Sequence, residues 1–385
     1  MSCCRKQNRV LIMINDKSSN CTGCTACASI CSHHAIQMNV DSEGFLYPKV
    51  DLSKCVNCGL CDLVCPLNHD LNKQSVNPKI YAALNKDKET YIHSSSGGIF
   101  MLLCDYVIAN GGVVCGAVYD KNFKVCHQFR NTLEGCRDFQ TSKYVQSNIE
   151  GIFKEIKIYL KEDKFVLFSG TPCQVAALKL FLRKKYNNLL TCDIICHGVP
   201  SPLIFEEYKH FVAGQRGIKS INMKFKNSKI SGTTLQFEFL DGSSDNNSLK
   251  TNIWFNLYFG HLISRPSCHV CKFTSFNREG DITIGDFWHY NQKHPEFHPG
   301  KTISIVIVSS SKGEEVFSHI SEKLDYQKSF KDEAVQPQLM HPSSKSCLRD
   351  DFWHDYHEKG FVKILAKYAN YTISERLKEK IKKML

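Results

Sequence analysis

CTGCTACASIC, residues 21–31, sets Cys21, Cys24, Cys27 and Cys31 within one short stretch. The chain repeats the pattern as CVNCGLCDLVCP, residues 55–66, where every cysteine lies 34 residues after its counterpart: 21 to 55, 24 to 58, 27 to 61 and 31 to 65. Two copies at one offset are an internal duplication. Cysteines spaced three apart on a tight turn converge on one face of a cube, while backbone N–H groups between them point at the sulfurs and offset the negative charge of an inorganic core. Zinc also takes four thiolates, but zinc pairs rarely come as three evenly spaced cysteines followed by a fourth.

The spacing is that of bacterial ferredoxins with two 4Fe-4S clusters, in which the fourth cysteine of each run serves the other cluster. Carried over position by position, one cluster takes Cys21, Cys24, Cys27 and Cys65, and the other takes Cys55, Cys58, Cys61 and Cys31. Between the copies, Ala35 to Val40 and Phe45 to Val50 flank Asp41-Ser42-Glu43-Gly44, which reads as a strand, a turn and a strand. Ser32 stands where the ferredoxin pattern prefers proline, whereas the second copy keeps Pro66.

With 385 residues, 42% hydrophobic and 23% charged, the chain suits a folded protein of two domains and an accessory segment. Its longest apolar runs, such as Val10 to Ile14, fall far short of the roughly 20 residues that span a bilayer, and no small-residue cleavage site follows. The expectation is a cytoplasmic protein with no membrane span. Twenty cysteines in a long chain without a secretory signal point to metal ligation rather than disulfides. The net charge of +11 raises nucleic acid as a partner, but the lysines are scattered. The one basic run, Arg376 to Lys383, reads as the solvated face of a terminal helix, so no nucleic acid partner is expected.

Asn68 to Asn77 reads as a linker, after which strands and helices alternate. Lys79 to Leu84, Val113 to Tyr119, Phe165 to Phe168, Leu189 to Ile195 and Ile303 to Val308 read as strands. Gly98 to Ala109, Ile152 to Leu160, Cys173 to Lys185 and the stretch near Glu314 to Leu324 read as helices. This order predicts an α/β fold with a mainly parallel sheet, preceded by a small α+β two-cluster ferredoxin domain. Ligands of such sheets sit beyond the carboxyl ends of the strands.

Three junctions there are polar and glycine-rich: HSSSGGIF (93–100), SGTPCQVAAL (169–178) and DIICHGVPSP (193–202). The first is also what an ordinary serine helix cap would look like; three together favour a ligand cleft. RPSCHVCKFTSFNREGDITIGDFW (265–288) adds Cys268-x-x-Cys271, a pair compatible with zinc, a cluster or a redox disulfide. Cys173 and Cys196 are the candidates to complete four ligands, with Cys192 in reserve. Cys104, Cys115, Cys126, Cys136 and Cys347 lack partners at ligand spacing and are expected to be inert buried thiols; Cys3 and Cys4 have no assigned role.

Taken together, the paired ferredoxin runs, S-S-G-G, G-T-P-C-Q, C-H-G-V-P-S, C-x-x-C and G-D-I-T-I-G-D-F-W resemble the coenzyme F420 hydrogenase/dehydrogenase beta-subunit family from about residue 15 to about residue 290. The resemblance implies FAD on the α/β domain, a third 4Fe-4S cluster near the flavin, and hydride exchange with a substrate stacked on it. By motif it places Ser95, Ser96, Gly97 and Gly98 near the flavin or its phosphates, adds Ser142, Lys143, Tyr144 and Gln146 from TSKYVQS (141–147), and has Thr171 and His197 line the cleft. Trp288-His289 departs from the family's usual Trp-Gly.

The domain division expected is 1–75 for the two-cluster module, 76–310 for the FAD- and cluster-binding α/β domain, and 311–385 for a helical C-terminal segment. Clusters carry single electrons, a hydride carries two, and a flavin converts between them. The expected function is therefore an iron-sulfur flavoprotein oxidoreductase whose partners are a redox protein, such as a ferredoxin or a partner reductase, and a small-molecule hydride donor or acceptor. The alternative is a non-enzymatic electron-relay subunit. No catalytic residue is assigned, because hydride transfer needs orientation and exclusion of water more than an acid or base.

Overall fold

The computed structural model describes residues 19–69, 77–227, 230–246 and 248–384. The N-terminal tail with Cys3, Cys4 and Val10 to Ile14 lies outside them, as does most of the Asn68 to Asn77 linker.

The duplication is written into the backbone of the first module. Positive φ occurs at Gly23 and Thr25 and again, 34 residues on, at Asn57 and Gly59. Each left-handed pair coils the chain around its cysteines and leads into a short helix, Ala26–Ile30 in one copy and Leu60–Leu63 in the other. Strands β1 (Ile36–Val40) and β2 (Leu46–Val50) form the antiparallel hairpin between them, in the register Ile36↔Val50 to Val40↔Leu46. Asp41 closes its turn by accepting the N–H groups of Glu43 and Phe45 on Oδ1, at 3.0 and 2.7 Å.

The larger unit holds two sheets. Its strands are β3 (Lys79–Asn85), β4 (Val113–Tyr119), β5 (Val125–Arg130), β6 (Val166–Gly170), β7 (Leu189–Ile194), β8 (Ile218–Asn227), β9 (Ile230–Phe239), β10 (Ser244–Asn246), β11 (Ile282–Asp286), β12 (Ser304–Val308) and β13 (Leu324–Ser329). Eight of them form one sheet in the order β13-β3-β12-β11-β7-β6-β4-β5. The central pairs β11·β7, β7·β6 and β6·β4 are parallel, and antiparallel strands extend both sides. Because β3, β4, β6, β7 and β11 all point one way, their carboxyl ends emerge along one rim.

Both faces of this sheet are covered, which is why β6 and β7 read as unbroken apolar runs. Val114, Val118, Leu167 and Leu190 face the helices Ile99–Ala109 and Ser311–Ile320. Val113, Cys115, Val166, Phe168 and Leu189 face the helices Ile152–Lys161 and Pro172–Leu182. A fully buried phenylalanine such as Phe168 contributes about 2–3 kcal/mol on this count.

Two features depart from the sequence reading. The segment 311–385, expected to be helical, contains the strand Leu324–Ser329, whose partner is β3, because Leu324 and Ser329 bury on the sheet while Asp325, Gln327 and Lys328 point outward. The antiparallel sheet β10-β9-β8 has no counterpart in the sequence reading. It packs Met223, Phe237 and Phe239 against Tyr208 and Trp254 of the helices Pro202–Ala213 and Leu249–Phe259, and against the helices Arg349–Lys359 and Phe361–Tyr368.

The hairpin of the first module seats on this second layer. Gly44, at φ +85°, leaves no room for a side chain, since a Cβ there would collide with Leu203 Cβ. Ser201 Oγ donates to the Glu43 carbonyl, and the Glu43 carboxylate takes a forked grip from Arg349, which also donates to the Ser264 carbonyl at 3.0 Å. Arg349 and Glu43 are only 5% and 17% exposed at their side chains. Replacing Arg349 by Ala strands that carboxylate, so urea unfolding should show a loss of about 3 kcal/mol; a loss under about 1 kcal/mol would mean the pair behaves as a surface ion pair.

Candidate functional site

The first module sorts its eight cysteines into two groups. Cys65, from the second copy, lies with Cys21, Cys24 and Cys27 of the first, close enough that these thiols repel one another's ionisation. Burial, with that repulsion added, pushes Cys24 up to about 12 and raises Cys27 and Cys65. Cys31, from the first copy, lines one recess with Cys55, Cys58 and Cys61 of the second. Each group thus takes three members from one run and the fourth from the other. Gly23 N–H points at Cys21 Sγ (3.4 Å) and Ala35 N–H at Cys31 Sγ (3.3 Å), as backbone donors do where sulfur carries negative charge. The groups differ in exposure: Cys58 is open to solvent, whereas Ala26 and Thr25 seal the other group against the larger unit.

A third group forms at the rim of the large sheet. Cys173 stands in the first turn of the helix after β6, Cys196 follows β7, and Cys268 and Cys271 flank the turn Pro266–Val270. All four face one another, and burial together with mutual repulsion raises Cys173, Cys196 to about 12 and Cys268 to about 11. Gly198 N–H points at Cys196 Sγ and Val199 N–H at Cys268 Sγ, both at 3.4 Å. Thr171 Oγ1 lies 3.1 Å from Cys173 Sγ. Cys192 is not part of this group; it is buried in the core. Among the described residues, no three His, Cys, Asp or Glu side chains converge as they would around a single metal ion.

Of the thiols expected to be solitary and buried, Cys347 is exposed and Cys126 half-buried. Cys104 hydrogen-bonds Cys136, which lowers Cys136 and adds to the burial that raises Cys104. The two belong to the helix Ile99–Ala109 and the turn Leu133–Cys136, whose packing the sequence spacing does not encode.

Arg265 joins the first module to the third group. It is fully buried. Its Nε donates to the Cys21 carbonyl at 2.7 Å, and its two terminal nitrogens donate to Gln146 Oε1 and the Leu46 carbonyl, each at 2.9 Å. Its guanidinium also lies 4.2 Å from the centre of the Tyr47 ring. Three residues later comes Cys268. Lys272 adds a second tie, donating to the carbonyls of Leu67 and His69 beside Cys65.

The residues assigned to a flavin by motif divide. Ser95 Oγ accepts from the Ser142 N–H at 2.6 Å and lies 3.0 Å from Ser142 Oγ, so two segments 47 residues apart meet. Ser96 Oγ donates to the Ile303 carbonyl. Gly97 serves the sheet, since a Cβ there would collide with the Ala83 carbonyl. Gly98, at φ +79°, caps the following helix. Lys143 is fastened to its own loop, donating to the carbonyls of Asp138, Gln140 and Thr141. Tyr144 packs on Tyr258, Gln146 binds Thr22 and Arg265, and Thr171 caps its helix beside Cys173. His197 stacks on His261, with ring centres 5.4 Å apart, against the edges of Tyr258 and Phe259.

Sequence reasoning missed three charged residues of the same rim. Lys226 Nζ donates to the carbonyls of Tyr91 (2.7 Å) and Ser96 (2.5 Å) and sits 3.5 Å over the Tyr91 ring. Burial, and Lys224 beside it, bring its pKa down to about 7. Lys224 pairs with Asp286 at the end of β11, and Asp286 Oδ1 is buried with no hydrogen-bond partner among the described residues. A signal existed: Met223-Lys224-Phe225-Lys226 alternates as a strand does, which sets both lysines on one face. Hydroxyls, two cations and an orphaned carboxylate oxygen fit a polar, anion-bearing ligand.

Comparison with known proteins gives the following. Residues 163–332 match the family described as the C terminus of the coenzyme F420 hydrogenase/dehydrogenase beta subunit, and residues 20–69 match the 4Fe-4S dicluster domain. No curated protein matches the chain. Among solved structures, a chain of the xenon-derivatised F420-reducing nickel-iron hydrogenase complex from Methanosarcina barkeri is 19% identical, with a TM-score of 0.47, over 77% of this chain and 93% of that one.

Replacing Arg265 by Met leaves three acceptors unpaired, at about 1–3 kcal/mol each. Amide exchange in the 21–27 and 45–47 segments should then speed up at least about tenfold while β6 and β7 stay protected. Unchanged exchange would mean that Arg349 and Glu43 hold the module without it.

Proposed function

This chain belongs to the coenzyme F420 hydrogenase/dehydrogenase beta-subunit family and carries a 4Fe-4S dicluster domain ahead of the family's C-terminal part; from that premise we propose that it is an iron-sulfur flavoprotein oxidoreductase. It exchanges electrons between a one-electron redox protein and a two-electron hydride donor or acceptor through FAD. The observation that carries the reading is the third cysteine group: four thiols from three separate segments, assembled at the carboxyl ends of β6 and β7 on the rim that holds Ser95, Ser142, Lys224 and Lys226.

In this reading Cys21, Cys24, Cys27 and Cys65 hold one 4Fe-4S cluster, Cys31, Cys55, Cys58 and Cys61 a second, and Cys173, Cys196, Cys268 and Cys271 a third. The exposed Cys58, with Val56 and Leu63 open beside it, marks the side that meets the redox protein. Burial then deepens through Cys24 and Cys27 to Cys173. FAD, when bound, supplies the exchange between single electrons and a hydride.

The chain's own residues do the rest. Ser95 and Ser142 offer hydroxyls, and Lys226 offers a cation to the flavin's phosphates. The Ser142 to Gln146 segment runs from Ser95 to Arg265, so the flavin side and the cluster side are fixed to one short piece of backbone. Tyr144, Tyr258 and Phe259 pack aromatic surface around His197 and keep water from the third group. The hydride partner is a small molecule of unassigned identity, since fold alone does not choose it.

Anaerobically purified protein should contain about twelve irons, as much acid-labile sulfide, and one FAD. The double variant Cys173→Ala and Cys268→Ala should lose about four of those irons and keep the rest. About eight irons without flavin in the unaltered protein would overturn the enzyme reading and leave an electron relay.

A further inference from the structure

The helix Ile373–Met384 is oriented against the usual logic of a helix on a domain surface. Its half-buried residues are the two glutamates, Glu375 and Glu379. Glu379 Oε1 accepts the Leu249 N–H at 3.1 Å, at the start of the helix Leu249–Phe259, where a carboxylate offsets the helix dipole. Ile373, Leu377 and Ile381 are instead 75%, 55% and 59% exposed. Spaced four apart, they form one apolar stripe along the outer face. The basic run reads in the sequence as a merely solvated face; the structure turns hydrocarbon outward along with it.

The stripe is bordered by cations. Helical geometry sets Arg376 and Lys380 along one side of it and Lys378 and Lys382 along the other, all exposed. An occupant must therefore be apolar to the depth of a side chain and anionic around that strip. A second copy of the helix would bring these like charges face to face, which disfavours self-association. At about 1.5 Å per residue this helix is too short to cross a bilayer, and among the described residues no helix is long and apolar enough to do so.

We infer that this helix lies in the interface of an anionic lipid membrane, with Ile373, Leu377 and Ile381 inserted among the acyl chains and Arg376, Lys378, Lys380 and Lys382 at the lipid phosphates. The redox module is thereby held at a membrane surface without spanning it. This attachment is independent of which cofactors the chain holds.

The test is co-sedimentation of the full chain with vesicles of phosphatidylcholine containing phosphatidylglycerol, against vesicles of phosphatidylcholine alone. The anionic vesicles should capture the protein at low salt and release it as salt rises. The double variant Leu377→Asp and Ile381→Asp should lower partitioning at least about tenfold with an unchanged thermal melt, since both side chains face outward. The charge variant Lys380→Glu and Lys382→Glu should do the same for anionic vesicles only. No capture, or capture indifferent to both variants, overturns the inference. So does light scattering that shows a dimer which the first variant splits, because the stripe then joins two copies.

Discussion

A single buried guanidinium holds the arrangement together. Arg265 sits between the two modules with no carboxylate among its hydrogen-bond partners, and its charge is met by the Cys21 and Leu46 carbonyls, the Gln146 side chain and the face of Tyr47. A cation taken out of water costs several kcal/mol unless such acceptors are preplaced, so the contact exists only when both modules are in register. Lysine would not substitute, because a point charge cannot satisfy acceptors in three directions along a planar fork. Gly23 is part of the same constraint: a Cβ there would meet the Arg265 guanidinium at 2.8 Å.

Positioning follows from that contact. Arg265 bonds the backbone of one cysteine loop, lies three residues before Cys268 of another, and grips Gln146, whose segment reaches Ser95. A displacement of the first module would be transmitted to all three. Lys272 and the Glu43–Arg349 pair hold the module at two further points, so that it is fixed against rotation as well as translation. Under the proposed function this rigidity is what keeps electron-carrying centres at a constant separation.

The cysteine groups were legible in the sequence to the extent that ligand spacing is local. Cys21 to Cys31 and Cys55 to Cys65 announce themselves through an offset, and their crossing follows the ferredoxin pattern. Cys173, Cys196, Cys268 and Cys271 were legible because each lies just past a strand end or in a ligand pair. The rest depends on contacts between distant segments. Lys224 and Lys226 belong to a sheet whose alternation went unread, Arg265 was hidden beside the more conspicuous cysteines, and Cys104 meets Cys136 only because a helix and a turn pack together. Gly97 shows the opposite error: a glycine read as making room for a ligand makes room for the Ala83 carbonyl.

The central claim is that a path for single electrons ends at a site for electron pairs on one chain. Anaerobic reductive titration with dithionite, followed by visible absorption, measures it directly. Three one-electron clusters and one two-electron flavin should take up about five electrons per chain, with flavin bleaching among the steps. Uptake of about two electrons with no flavin band would contradict the account.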